Sequence, residues 1–157
     1  DLLLEAFADK RLREFPVRLV VAGEFYESPE PYLKLIKKHK LESLIELRTK
    51  FIEDKDVKNY FSVADIVAQP YRSATQSGVS QIAYHYENPM LVTDVGGLAE
   101  IVPHNKVGYV VDVKPEKIAD ALVDFFAHKR AEEFKVNIRE EKKKYDWSRM
   151  TETINLI

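Results

Sequence analysis

The sequence predicts a Rossmann-like α/β domain, a three-layer sandwich with a parallel sheet in the middle. Three observations point to it. Short apolar runs alternate with amphipathic stretches along the whole chain, which implies right-handed crossovers between parallel strands. Glycine, proline or hydroxyl residues stand directly after the apolar runs, where folds of this kind carry their ligand loops. The 157 residues, 45% of them hydrophobic, are enough for one domain with its own core.

The elements follow in order. Apolar residues at helical spacing run from Leu2 through Phe7 to Leu12, and Pro16 ends that helix. Val17–Ala22 is continuously rich in apolar residues and reads as a buried strand closed by Gly23. Tyr32, Leu33, Leu35 and Ile36, with lysines between them, make Pro29–Lys40 a surface helix. A shorter strand is expected at Leu44–Leu47, then a helix at Asp54–Phe61 that opens on an acidic residue. Ala64–Pro70 reads as a strand stopped by proline, Gly78–Tyr86 as a helix and Met90–Thr93 as a strand. Val95–Val102 reads as a glycine-opened turn and short helix, and Gly108–Val111 as a strand. Pro115–Ala127 has proline in its first turn, where a helix tolerates it. A charged helix, Glu132–Tyr145, comes last, with a short tail that Trp147 anchors on the domain.

Composition narrows the function. The formal net charge is −2 with both signs interspersed, so the chain has no basic footprint for nucleic acid. Cysteine is absent, which excludes disulfides, thiolate metal sites and thiol nucleophiles. His39, His104 and His128 show no ligand spacing with one another or with a carboxylate cluster, His85 at a helix end reads as packing or capping, and no metal site is expected. Apolar runs such as Val17–Ala22 are far shorter than the roughly 20 residues a bilayer requires. A cytoplasmic domain is the expectation. Asp1-Leu2-Leu3-Leu4-Glu5-Ala6-Phe7 is already helical in pattern, so an upstream portion is expected too.

Two segments could carry chemistry. The first is Pro70-Tyr71-Arg72-Ser73-Ala74-Thr75-Gln76-Ser77-Gly78, in which a strand leads through small and hydroxyl residues into a helix. Unpaired N–H groups and the positive end of the dipole make such a helix start a phosphate cradle. Ordinary capping by serine or threonine explains the same residues equally well. The second segment is Thr93-Asp94-Val95-Gly96-Gly97-Leu98-Ala99-Glu100. Its glycine pair permits a tight turn and leaves N–H groups open to a ligand, with Glu100 placed to accept from a ligand hydroxyl. A plain glycine turn beside an exposed glutamate is the simpler reading.

In combination the segments say more. Ala-Thr-Gln-Ser-Gly, then Asn-Pro-Met-Leu-Val-Thr-Asp-Val-Gly-Gly-Leu-Ala-Glu, resembles the retaining GT-B glycosyltransferases, the group 1 family of sucrose synthase, glycogen synthase and bacterial mannosyltransferases. Leu2–Phe7, Arg18–Glu24, Ala64–Tyr71 and Val107–Val111 also resemble family segments, in the family's order and spacing. The resemblance implies that residues 1–157 are the C-terminal, nucleotide-sugar-binding half of a two-domain enzyme. The N-terminal acceptor domain is then missing from this chain.

Carried over residue by residue, the resemblance puts the diphosphate on the backbone around Gln76, Ser77 and Gly78, with Ser73 and Thr75 beside it. It puts the base along Thr49, Lys50 and Phe51, and Gly23 and Glu24 beside the donor pocket. The usual pair of glutamates eight positions apart is replaced here by Ser73 and Gln81. Gln81 can still bond ribose hydroxyls, whereas Ser73 cannot replace a carboxylate. The family's basic clamp lies just before the first helix, upstream of Asp1, so the chain alone is expected to be inactive. No cofactor is implied beyond the nucleoside-diphosphate sugar itself. The acceptor would be a glycan or lipid-linked molecule, with a location in the cytoplasm or at the inner membrane face. A sugar-nucleotide epimerase half and a non-catalytic Rossmann-like binding module are the competing readings.

Overall fold

The computed structural model describes residues 1–75 and 77–143. Gln76 and the expected helix end and tail, with Tyr145 and Trp147, lie outside the described residues.

The chain alternates strands and helices as its patterning predicts. Helix α1 (Leu2–Phe7) begins at Asp1, whose side chain accepts from Leu2 N–H, and ends at Ala8. The expected continuation to Leu12 does not form as one helix. Asp9 takes an extended conformation and caps a separate 3-10 turn, Lys10–Glu14, by accepting from Arg11 N–H. A short polar side chain that can bond a backbone two residues ahead competes with the helix there.

Strands β1 (Leu19–Ala22) and β2 (Ile45–Arg48) flank α2 (Glu30–Lys38). Helix α3 (Asp54–Val63) leads to β3 (Val67–Gln69), α4 (Gly78–His85) and β4 (Met90–Thr93). Helix α5 (Leu98–Ile101), β5 (Gly108–Val111), α6 (Pro115–Ala127) and α7 (Ala131–Lys142) complete the described chain. All pairings are parallel, but they fall into two sheets, β1–β2 and β3–β4–β5, rather than one.

Burial explains which strands are clear in the sequence. Every residue of β4 is buried, as its uninterrupted apolar run demands. Strand β1 alternates instead, and Val20 is 43% exposed. The expectation of a sheet covered on both faces therefore fails at β1–β2. Helix α3, next in the chain, has no buried residue and leaves Val63 exposed.

One apolar core unites α1, α2 and α6 with residues of both sheets, among them Leu19, Leu47, Ala68, Leu91 and Tyr109. A second, under α4 and α5, gathers Ala83, Met90, Val92, Leu98 and Ile138. Between α4 and β4 the chain turns at Glu87 (φ 59°) into buried Asn88. The Asn88 amide donates to the carbonyls of Phe61 and Ala64, both at 2.9 Å, closing the end of α3. Asn88→Ala strands both carbonyls, and a loss of about 2 kcal/mol is expected. A lower urea midpoint at unchanged slope would show it.

Candidate functional site

The loops that follow the strands gather into two groups. At the end of β1, Gly23 adopts φ +132°, a conformation side chains rarely take, and its N–H donates to Arg48 O at 3.0 Å. That bond ties Gly23 and Glu24 to the start of the Thr49-Lys50-Phe51 loop after β2. Glu24, Thr49 and Lys50 are exposed, and Phe51 is 71% exposed, an aromatic face open to solvent. Arg48 and Arg18 both pair with Glu46 below this loop.

The second group lies after β3 and β4. Ser77 is the N-cap of α4 and is buried, yet its side chain makes no capping bond. The capping explanation of this segment loses its direct support. Ser80 N–H bonds Ser77 O at 3.2 Å, and the first-turn amides ahead of it have the orientation a helix start imposes. An added Cβ on Gly78 would meet nothing within 4 Å. Open space therefore lies beside the helix start, where a ligand could reach the backbone. Ser73 and Thr75 are exposed beside it, as is Gln81 on α4.

Gly97 follows the simpler of the two readings of this pair, a plain turn. Gly97 N–H is not open to a ligand: it donates to Thr75 O at 3.1 Å. Gly96 sits at φ +54° with its α-carbon pressed on the Ala74 carbonyl, whose carbon would lie 2.7 Å from an added Cβ. Thr93, fully buried at the end of β4, donates its hydroxyl to Tyr71 O at 2.5 Å. The two segments that looked separate in sequence are thus one packed unit. Glu100 is exposed on α5.

Two supporting contacts escaped the sequence reading. Ser80 Oγ donates to Gln69 Oε1 at 3.1 Å, both residues being buried, while Gln69 Nε2 is buried without a hydrogen-bond partner. Arg72 donates to Asp1 Oδ2 at 2.6 Å, tying the loop to the start of α1. Gln69 was detectable, because a period-two reading of β3 turns it inward with Val67. The Arg72 contact spans 71 positions and leaves no local signal.

A cavity of about 570 Å³ lies elsewhere, along β5, lined by His104, Tyr109, Lys117, Asp124, Arg130 and Phe134 among others. It contains none of the residues expected to hold the donor. Its polar groups largely satisfy one another: Tyr109 donates to Asp124 at 2.6 Å, with Arg130 and His128 also on Asp124. The Tyr109 bond, reinforced by the charges of Arg130 and His128, holds the Asp124 carboxyl below its ordinary range. Burial, then the same bond, pushes the Tyr109 hydroxyl up. Asp124 thus contributes stability that is full above about pH 3.9, its unfolded value, and is lost as pH falls through the lower folded value. Asp124→Asn is expected to flatten the acid limb of a Tm-against-pH profile below about pH 4.

Comparisons with known proteins bear on the family and the fold. The model of the family described as glycosyl transferases group 1 matches residues 1–128. The chain belongs to that family. No curated protein matches it. Among solved structures, HepE of Anabaena in complex with UDP is 18% identical with a TM-score of 0.79, covering 99% of this chain and 44% of that one. Sucrose-phosphate synthase of Thermosynechococcus elongatus is 18% identical with a TM-score of 0.76, covering 98% and 41%. The C-terminal domain of the group 1 protein LpcC of Francisella tularensis is 20% identical with a TM-score of 0.80, covering 92% and 78%. This group 1 chain thus has the Rossmann-like fold of one half of a GT-B enzyme, and it spans less than half the length of the first two structures.

Among the described residues, no three His, Cys, Asp or Glu side chains gather into a metal site. No described helix of this group 1 chain is long and apolar enough to cross a membrane.

Proposed function

We propose that this chain is the donor-binding half of a hexosyltransferase that moves a sugar from a nucleoside diphosphate to a glycan or lipid-linked acceptor. The observation that carries the reading is the helix start at Ser77–Gly78, uncapped by its own serine, with open space beside it and a packed loop behind it. Diphosphate oxygens on such amides gain charge-assisted hydrogen bonds and the helix dipole. On this reading Gln81, one turn along α4, bonds the ribose, and the base lies along Thr49, Lys50 and Phe51, where the exposed ring offers a stacking face. Gly23 and Glu24 border the sugar side. HepE and the pneumococcal transferase GtfA were solved with UDP, which makes UDP the first nucleotide to test.

Catalysis in this proposal belongs to the whole enzyme. Leaving-group stabilisation needs positive charge on the departing diphosphate, and an acceptor needs a second domain to hold it. The chain alone is then a weak nucleotide binder that transfers no sugar, acting in the cytoplasm or at the inner membrane face when part of the complete protein. Titration with UDP, GDP and ADP by calorimetry tests it. One nucleotide should bind, and Gln81→Ala should weaken it about 3- to 10-fold, as loss of a ribose hydrogen bond implies. Equal silence from all three nucleotides would count against the reading.

A further inference from the structure

Resting on the donor-site reading above, the structure assigns Gly96 and Gly97 a positioning role: their turn locks the backbone polarity of the proposed diphosphate loop rather than touching the donor. Three ties run from one short segment to that loop. Thr93 holds the Tyr71 carbonyl, Gly96 packs on the Ala74 carbonyl, and Gly97 N–H holds the Thr75 carbonyl. All three grip carbonyl oxygens.

The consequence follows from peptide geometry. The described chain has no cis peptide bond, and in a trans peptide the C=O and the next residue's N–H point in opposite directions. With the Ala74 carbonyl turned onto Gly96, the Thr75 N–H points away from the turn. With the Tyr71 carbonyl turned onto Thr93, so does the Arg72 N–H. Carbonyls inward and amides outward is the polarity an anion requires, and the glycine turn enforces it from behind.

Gly96 is the residue that cannot be replaced, for two separable reasons. Its positive φ disfavours most side chains, although asparagine tolerates that region. Its missing Cβ makes room for the Ala74 carbonyl, and no side chain escapes that collision. Gly97 is more forgiving, since a Cβ there would sit 3.1 Å from Thr75 O and leave the N–H in place.

The experiment compares Gly96→Ala, Gly96→Asn and Gly97→Ala, with Ile138→Val in the buried second core as a stability control. Each is titrated with UDP, GDP and ADP, and its amide resonances are recorded by NMR. Both Gly96 variants should bind the preferred nucleotide about 10-fold or more weakly, and Gly97→Ala within about 3-fold of the parent. The Thr75 and Arg72 amides should shift in both Gly96 variants, and Ile138→Val should lower Tm with affinity unchanged. Gly96→Asn binding as tightly as the parent would overturn the proposal, because the φ alone would then matter. If the parent binds no nucleotide, the donor reading falls by itself. The positioning role then rests on the resonances, and unmoved Thr75 and Arg72 amides in Gly96→Ala would overturn it.

Discussion

Gly78→Trp is expected to abolish nucleotide binding while leaving the fold intact. The position is exposed at the first turn of α4, and an added Cβ would meet no atom within 4 Å. Its φ lies outside the left-handed region, so a larger residue carries no backbone strain there. Tryptophan is also a better helix residue than glycine. The indole would fill the space the proposed diphosphate needs and cover the helix-start amides. Affinity should fall at least about 100-fold, about 2.7 kcal/mol of binding free energy. Thermal unfolding should move by no more than a few degrees. A variant that keeps its affinity would place the ligand elsewhere.

The second large effect concerns stability. Phe125 on α6 is 2% exposed, with Tyr109 of β5 and Phe134 of α7 against its ring at centroid separations of 6.5 and 6.2 Å. Phe126 meets it edge-on at 5.2 Å. This aromatic cluster joins β5 to the two helices that follow it, and Leu91 and Leu122 belong to the same core. Phe125→Ala removes the buried ring and leaves a cavity that neighbouring rings fill poorly. The expected cost is about 3–5 kcal/mol, a large share of the roughly 5–15 kcal/mol that holds a typical domain together. Tm should fall by about 10 °C or more, with any nucleotide affinity of the remaining folded protein unchanged.

The sequence made the architecture legible where local pattern and tertiary burial agree. Met90–Thr93 and Pro115–Ala127 form with the boundaries their patterns predict. Four buried positions in succession, or an apolar stripe opened by proline, allow little else. Where burial is incomplete the pattern misleads. Val20 is as apolar as any core residue, yet nothing in β1 itself reveals that its outward face lacks cover. Asp9 interrupts an otherwise helical spacing, and its cap was detectable as an aspartate with an exposed basic pair behind it.

The candidate site divides along the same line. The placement of Ser77 and Gly78 after a strand and at a helix start was readable, because strand, loop and helix are consecutive. The commitment of Gly97 N–H to Thr75 was not, because it joins positions 22 residues apart and depends on how two loops pack. A glycine pair read alone looks like exposed amides; packed against Ala74 and Thr75 it becomes the support of a neighbouring loop. The exposed Phe51 and the Gly23–Arg48 bond show the same limit on the other sheet. Composition gave residue types, and only the fold gave their partners.

The most direct test of the central claim is to map where a nucleotide lands. UDP, GDP and ADP would be titrated into isotope-labelled protein, following backbone amide shifts. The account predicts that one nucleotide moves the amides of Thr75, Ser77, Gly78 and Gln81 together with those of Gly23, Glu24 and Thr49–Phe51. Shifts confined to the cavity around His104, Tyr109 and Arg130, with the Ser77–Gly78 helix start unmoved, would contradict it.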